Sequence, residues 1–126
     1  MVVSITSTLN LVSEIYELSV KAREILTNHA HETPIVSSYT LDSIVGRRVY
    51  LKLENMQKTG AFKVRGALFK IYELISRERV RGVVAASSGN HAQGVAYAAS
   101  RLGVEAVVVM PRTASATKVN ATRSYG

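Results

Sequence analysis

The chain has 126 residues, of which 47% are hydrophobic and 20% are charged, and this composition suits one small globular domain. It contains no cysteine, which excludes a disulfide framework and a thiolate metal site, and no apolar run is long enough to cross a membrane. Because no basic segment precedes an apolar core at the amino terminus, we expect a cytoplasmic protein without a secretory signal.

The formal net charge of +7 raises the question of a nucleic-acid partner. Basic residues are spread along the chain, and only Arg77, Arg79 and Arg81 cluster, with Glu78 among them. No aromatic residues interleave with this cluster to stack on bases. We therefore interpret the charge as a solvated surface with some attraction for a phosphate and a carboxylate, and expect no nucleic-acid partner.

The first predicted helix begins at Ser13, as its cap, and runs to about Asn28. Its expected buried stripe consists of Ile15, Leu18, Ala22, Ile25 and Leu26. His29 and His31 follow in a loop at a spacing that does not place them on one helix face. We expect them to be solvated and predict no metal site.

Three short elements are predicted next. A Thr-Pro pair at residues 33–34 favours an extended segment through Val36. Residues 40–45 predict a short helix that stops at Gly46. The alternation of apolar and polar residues over 49–53 predicts a strand with one buried face.

A polar turn then leads to a helix predicted from Lys63 to about Ser76. Its apolar face consists of Val64, Leu68, Ile71, Tyr72 and Ile75. Lys63 therefore lies where a loop becomes a helix. Partial desolvation there, beside the charges of Lys58 and Arg65, would favour the neutral, nucleophilic amine that forms a Schiff base. On spacing alone, a solvated surface lysine is the commoner interpretation.

The second half of the chain alternates strands and helices. The apolar runs Gly82–Ala86 and Ala106–Met110 suit parallel strands that are buried on both faces. A helix from about His91 to Leu102 lies between them, ended by Gly103 and rich in small residues that allow close packing on the sheet. A last helix, capped at position 113 or 115, is expected to reach about residue 125. Short connections predict a right-handed parallel α/β layer.

The turn at residues 87–91 joins the end of a strand to the start of a helix, where open α/β sheets bind ligands. Free backbone N–H groups and the helix dipole favour an anion there, either a carboxylate or a phosphate. Serine, glycine and asparagine are also the residues of an ordinary tight turn before a helix, so the pattern by itself leaves both interpretations open.

Three motifs occur in a fixed order: TGAFKVRGA at residues 59–67, SSGNHAQG at 87–94 and VVMP at 108–111. Together they resemble the pyridoxal-phosphate enzymes of the tryptophan-synthase-β type, and within them threonine dehydratases and serine racemases. The resemblance runs from about residue 33 to the end of the chain. Ala61 departs from the serine of many relatives, which removes a hydroxyl beside the lysine.

The resemblance implies an α/β fold: a three-layer parallel sheet with helices on both faces, incomplete in this chain. Residues 1–54 would belong to the larger domain and residues 55–126 to the smaller cofactor and substrate domain. The family's glycine-rich phosphate loop and its residue at the pyridine nitrogen lie later in relatives. We therefore expect a fragment, the amino-terminal part of an enzyme that is a homo-oligomer in its full-length form.

The resemblance also assigns site residues. Lys63 would hold pyridoxal 5'-phosphate as a Schiff base and remove the substrate's α-proton, and Phe62 would pack against the pyridine ring. Asn90 would donate a hydrogen bond to the ring hydroxyl oxygen. The substrate carboxylate would be held by Ser87, Ser88, Gly89, Asn90 and His91.

The implied reaction is β-elimination of water from L-threonine or L-serine, giving 2-oxobutanoate or pyruvate and ammonia. This is the activity of a threonine dehydratase, or threonine ammonia-lyase, in amino-acid metabolism such as isoleucine biosynthesis. Two alternatives stay open. One is a serine racemase, in which the Ser88 hydroxyl delivers a proton to the opposite face of the cofactor. The other is an inactive fragment that acts only with a partner chain.

Overall fold

The computed structural model describes residues 5–126, with side chains from residue 10 onward. Five helices, four strands and a 3₁₀ turn follow one another along this range. They are α1 (Ile5–Leu26), β1 (Ile35–Ser37), α2 (Tyr39–Val45), β2 (Tyr50–Lys52), the 3₁₀ turn Glu54–Met56, α3 (Lys63–Arg77), β3 (Gly82–Ala86), α4 (Asn90–Leu102), β4 (Glu105–Val109) and α5 (Ala116–Ser124).

The hydrophobic core lies between α3, α4 and one face of the β3–β4 pair. The two strands are parallel, with Gly82 opposite Glu105, and α4 is the connection between them. Val64 and Leu68 of α3 are fully buried, and the small residues of α4 allow the two helices to pack closely. The predicted α/β class and the parallel pairing are confirmed.

Burial alternates along β3 and β4, so that only one face of the pair is covered by the described residues. Val84 is 76% exposed and Val107 is 59% exposed, while Val83 and Val108 pack against the core. The prediction that both faces of these strands are buried is therefore wrong for the described chain, because the elements that it supplies all pack on one side.

The strand predicted over 49–53 is present as β2, but it lies outside the parallel pair. It pairs antiparallel with β1, with Ile35 opposite Lys52, and β1 confirms the extended segment after the Thr-Pro pair. All residues of β1 and β2 are exposed, but Val49 and Leu53 on either side of β2 are half-buried and Leu51 is 37% exposed, so the predicted one-sided burial over 49–53 is present only in part. Alternation of apolar and polar residues gives a strand an apolar face, but that face is buried only where another element packs on it. No described element covers the β1–β2 sheet.

The first helix differs from its prediction. Ser13 lies inside α1 and does not cap it. The predicted stripe is exposed at Ile15 and Leu18 and becomes half-buried only at its carboxyl-terminal end, where α1 meets α3. An ion pair of 2.6 Å between Lys21 and Glu73 adds to this contact.

The remaining helices follow their predictions within one residue or two at each end. Gly46 and Gly103 end α2 and α4 in the left-handed conformation, each with φ of 71°. Ser115 occupies the cap position of α5, although its side chain makes no capping hydrogen bond.

Among residues 5–126, no helix combines the length and the apolar character needed to span a bilayer. Part of the segment on which the predicted absence of a secretory signal depends, residues 1–4, lies outside the described residues. The described part of the chain also contains no group of three histidine, cysteine, aspartate or glutamate side chains that could hold a metal ion.

Candidate active site

Lys63 is the first residue of α3, and its side chain is exposed. The described residues therefore do not bury this amine. The amine lies 4.9 Å from the ring centroid of Phe62, in a cation–π contact, and Phe62 is itself 58% exposed. Lys63 makes no salt bridge within the part of the chain that the structure describes. The Lys63 amine and the Phe62 ring therefore lie next to each other on residues that are both exposed.

Arg65 does not act on Lys63 as a free charge, contrary to the expectation from the sequence. Its guanidinium donates two hydrogen bonds to Glu54, from Nε to Oε2 at 2.9 Å and from Nη2 to Oε1 at 2.7 Å. The hydrogen bond from Arg65 lowers the pKa of Glu54 to about 2, although burial opposes the shift. The same hydrogen bond raises the pKa of Arg65. This bidentate pair fixes the first turn of α3 to the 3₁₀ turn.

The loop before Lys63 is held at its start by Gln57, which is only 5% exposed. The Gln57 amide accepts a hydrogen bond from the backbone N–H of His31 and donates one to the carbonyl of the same residue, both at 2.8 Å. It also accepts from the N–H of Lys58. Gly60 then turns the chain with φ of 66°, a conformation that favours glycine. These contacts set the direction in which the chain enters α3.

The turn before α4 is shaped by Ser87. Its hydroxyl accepts a hydrogen bond from the N–H of Gly89 at 3.2 Å, and its own N–H donates to the carbonyl of Val109 at 3.0 Å. Ser88 is half-buried, and its hydroxyl has no hydrogen-bond partner among residues 10–126, whose side chains the structure describes. Asn90 and His91 begin α4 with exposed side chains. The turn therefore leaves polar groups and helix-start N–H groups directed away from the core.

Gly94 connects the two motifs in space. A Cβ atom at this position would lie 3.1 Å from the carbonyl carbon of Lys63 and 3.1 Å from the nitrogen of Val64. Asn90 and Gly94 are four residues apart in α4 and so share one face of that helix. The predicted cofactor lysine and the predicted cofactor-binding asparagine are thereby brought to the same region.

Sequence reasoning missed Gln57 and the Glu54–Arg65 pair. It assigned the small residues of α4, Gly94 among them, to packing on the sheet, whereas Gly94 packs against the start of α3. A glycine inside a helix costs about 1 kcal/mol relative to alanine, so its presence at position 94 was a signal of close packing. Long-range polar pairs carry no comparable local signal.

Two open clefts lie elsewhere in the described chain. One, of about 550 Å³, lies between α1, β2 and Arg65, and the other, of about 430 Å³, lies between α4, β4 and α5. Lys63 and the turn at 87–91 line neither of them. The candidate site is thus an open surface at the start of two helices.

The residues at this surface fit pyridoxal phosphate in their chemistry. Lys63 supplies an accessible primary amine for the aldehyde, and Phe62 an exposed ring for the face of the pyridine. Asn90 supplies an exposed amide, and the start of α4 supplies N–H groups for an anion. At this surface the N–H groups for an anion lie in the first turns of α3 and α4.

Comparison with known proteins adds a family assignment. A family model described as pyridoxal-phosphate dependent enzyme matches residues 26–126. The L-threonine ammonia-lyase of Thermotoga maritima is 52% identical over 106 residues, which cover 84% of this chain and 26% of that protein. The L-threo-3-hydroxyaspartate ammonia-lyase of a Pseudomonas species is 50% identical over 111 residues, which cover 88% and 35%. The chain thus spans about a quarter to a third of these relatives.

Solved structures agree with the sequence comparison. The structure of maize serine racemase matches 87% of this chain and 33% of its own, with a TM-score of 0.80 and 42% identity. The structure of a threonine deaminase from T.th. matches 87% and 34%, with a TM-score of 0.76 and 47% identity. Both are similar to this chain in fold and in sequence.

Proposed function

The chain belongs to the family of pyridoxal-phosphate dependent enzymes, and on this basis we propose that it is the amino-terminal part of a threonine ammonia-lyase. The proposed reaction removes water from L-threonine, or L-serine, and yields a 2-oxo acid and ammonia. The observation that carries this proposal is the accessible Lys63 amine at the start of α3, beside the start of α4, in a chain that is about half identical to an L-threonine ammonia-lyase.

In this proposal Lys63 holds the cofactor covalently and later moves the substrate's α-proton. Pyridoxal phosphate, when bound, supplies the electron sink that makes removal of that proton possible. Phe62 would pack on one face of the cofactor ring, and the Asn90 amide would donate to the ring's hydroxyl oxygen. The exposed positions of these three side chains leave each of them accessible for its role.

The substrate carboxylate is proposed to bind at residues 87–91. The backbone N–H groups at the start of α4, with the positive end of the helix dipole, suit a carboxylate. The hydroxyl of Ser87 already accepts the Gly89 N–H, so we assign Ser87 to shaping the turn more than to direct contact with substrate. Asn90 and His91 keep N–H groups at the first turn of α4, where the carboxylate would lie.

A serine racemase is the second candidate, because the Ser88 hydroxyl is half-buried and without a partner among the described residues. A hydroxyl in this turn is a suitable proton donor for a reaction that inverts the α-carbon. The similarity to maize serine racemase supports the same candidate. The sequence identities to ammonia-lyases are higher, and they favour elimination as the main reaction.

The division into a larger domain over residues 1–54 and a smaller one over 55–126 is also a proposal. The Glu54–Arg65 pair and the Gln57–His31 contacts would then cross the domain boundary and hold the lysine loop against the larger domain. A homo-oligomeric full-length enzyme and a cytoplasmic location complete the proposal.

The decisive experiment locates the cofactor. We expect borohydride reduction of the cofactor-loaded full-length protein, followed by peptide mapping, to place the label on Lys63. Lys63→Arg should remove the label, whereas the control variants Lys58→Arg and Lys70→Arg should retain it. A label on Lys58 or Lys70, or none in the unmodified protein, would overturn the proposal. Product analysis with L-threonine should then give 2-oxobutanoate.

A further inference from the structure

Gly94 differs from the other helical glycine of the described chain in what surrounds it. A Cβ atom at Gly94 would meet the backbone of α3 at three atoms, at 3.1, 3.1 and 3.2 Å. A Cβ atom at Gly66, inside α3, would meet nothing within 4 Å. The contact at Gly94 is therefore specific to the place where α4 crosses the start of α3.

The neighbours of Gly94 have little freedom to move. They are the carbonyl group of Lys63 and the nitrogen of Val64, which are main-chain atoms and not the end of a flexible side chain. Val64 and Leu68 anchor the same part of α3 in the core, with 0% and 1% exposure. A side chain at position 94 would therefore displace the first turn of α3 or open the core.

The displaced atoms belong to the residue that carries the proposed chemistry. Asn90 lies one helical turn before Gly94, on the same face of α4, at a distance of about 6 Å along the helix axis. We propose that Gly94 is a positioning residue, which sets the separation between Lys63 and the first turn of α4. The chemical consequence of this inference rests on the proposed function, whereas the packing of Gly94 against the start of α3 does not.

A purely structural role for Gly94 makes a different prediction. If the glycine served only to pack two helices, its replacement would lower stability and leave the geometry of cofactor binding unchanged. If it positions Lys63, replacement changes the surroundings of the bound cofactor, because in the proposed site Lys63 bonds to the aldehyde carbon and Asn90 contacts the adjacent ring hydroxyl. The visible absorbance band of the cofactor reports this difference directly.

The experiment compares three alanine variants in the full-length protein. Gly94→Ala tests the inference, and Gly66→Ala is the control in α3 without a clash. Gly82→Ala is the control for a clash elsewhere, since its Cβ would lie 3.0 Å from the carbonyl oxygen of Glu105 in the β3–β4 pair. Each variant is measured for thermal stability, for the dissociation constant and absorbance band of pyridoxal phosphate, and for kcat and KM.

We expect Gly94→Ala to shift the absorbance band, to weaken cofactor binding, and to lower kcat about ten- to a hundredfold, the scale of effect of a misplaced catalytic group. Gly66→Ala should raise thermal stability, since alanine favours a helix interior more than glycine does, and should match the unmodified protein in cofactor binding, absorbance band, kcat and KM. Gly82→Ala should lower stability without a shift of the band. An unchanged band and dissociation constant in Gly94→Ala, or the same changes in Gly94→Ala and Gly82→Ala, would overturn the inference.

Two further measurements decide the remaining outcomes. Amide hydrogen exchange at residues 66–69, whose N–H groups form the first hydrogen bonds within α3, should be faster in Gly94→Ala in the cofactor-free protein, so the structural part is tested even if Lys63 carries no cofactor. If Gly94→Ala does not fold, the double variant Val64→Ala/Gly94→Ala gives the first turn of α3 room to retreat. It should fold and bind cofactor more weakly than Val64→Ala alone, and equal binding by the two would overturn the inference.

Discussion

Ser87 and Ser88 are neighbours in one turn, but their hydroxyl groups have different surroundings. The hydroxyl of Ser87 accepts the Gly89 N–H and so takes part in building the turn. Ser88 is half-buried, and its hydroxyl has no partner among the side chains and backbone described for residues 10–126. A group that the fold does not use is available for chemistry, whereas a group that the fold uses is costly to remove.

The two serines therefore predict different results on substitution. Ser88→Ala should leave the rate of 2-oxobutanoate formation from L-threonine nearly unchanged and should abolish any D-serine formed from L-serine. The control, Ser87→Ala, should destabilise the protein by about 1 kcal/mol, since it leaves the N–H of Gly89 without its acceptor. Chiral product analysis and thermal unfolding measure the two effects. D-serine as the main product of the unmodified protein would reverse the preference for elimination.

At the scale of elements, the contacts of Glu54 and Gln57 join the β1–β2 unit to α3. Gln57 pairs with the backbone of His31, and Glu54 pairs with Arg65 in the first turn of α3. The loop that presents Lys63 lies between these two attachments. A loop that is attached at both ends has fewer conformations than a free loop, so the Lys63 side chain can occupy fewer positions.

The Glu54–Arg65 pair predicts a pH-dependent stability. The pKa of Glu54 is lowered to about 2 in the folded chain by its hydrogen bond from Arg65. Because the folded pKa lies below the unfolded value, the stabilisation is present above about pH 4.5 and is lost as the pH falls towards 2. The Glu54 side chain is mostly buried, and after solvent screening its hydrogen bonds, chiefly from Arg65 and also from Thr33 and Gln57, contribute about 2 kcal/mol at pH 7.

Glu54→Gln should therefore have a lower free energy of unfolding than the unmodified protein at pH 7. The difference between the two proteins should shrink as the pH is lowered from 4.5 to 2. Urea unfolding at several pH values measures the difference from the unmodified protein. Glu78→Gln, at an exposed position without an ion pair in residues 5–126, is the matched control and should show no such dependence. A difference between Glu54→Gln and the unmodified protein that stays constant with pH would contradict the assignment.

Elements with local signals could be predicted from the sequence. The apolar spacing after Lys63 predicted α3, and Gly46 and Gly103 marked the ends of two helices, because a left-handed residue is required there. The short apolar runs predicted β3 and β4, because their signal also lies within the segments themselves. In each case the residues that determine the element lie within the element or next to it.

Features that depend on distant residues could not be predicted. The alternation over 49–53 predicted a strand, but not that β2 would pair antiparallel with β1 and remain uncovered. The charge of Arg65 was visible, but its partner Glu54 was not, so its influence on Lys63 was misjudged. Lys63 is likewise exposed because no described element packs over it. Pairing and burial are properties of the assembled fold, and local patterns do not contain them.

At the scale of the whole molecule, the described chain leaves apolar surface open. The outer face of the β3–β4 pair exposes Val84, Val107 and Val109, and β1 and β2 expose further apolar side chains. Strands that are apolar on both faces are typical of parallel sheets covered on both sides. An uncovered face of this kind promotes association with another apolar surface.

The last prediction concerns the 126-residue chain expressed alone. We expect it to self-associate through the open face of β3–β4 and to bind pyridoxal phosphate weakly. The cofactor's phosphate is a dianion that needs several N–H donors to replace its water shell. Among the described residues the site offers the first turns of α3 and α4; the substrate carboxylate is proposed to occupy that of α4, and that of α3 carries Lys63 itself. Turnover of L-threonine should therefore be far below that of a complete enzyme.

The measurement compares residues 1–126 with a chimera in which this chain continues into the carboxyl-terminal remainder of the L-threonine ammonia-lyase of Thermotoga maritima. Sedimentation, cofactor titration and 2-oxobutanoate formation are followed for both. A variant of the short chain with Val84→Thr and Val107→Thr should self-associate less and still fail to turn over, which separates the open face from the missing donors. Comparable turnover by the short chain and the chimera would contradict the prediction, because residues 1–126 would then supply every group that the reaction needs.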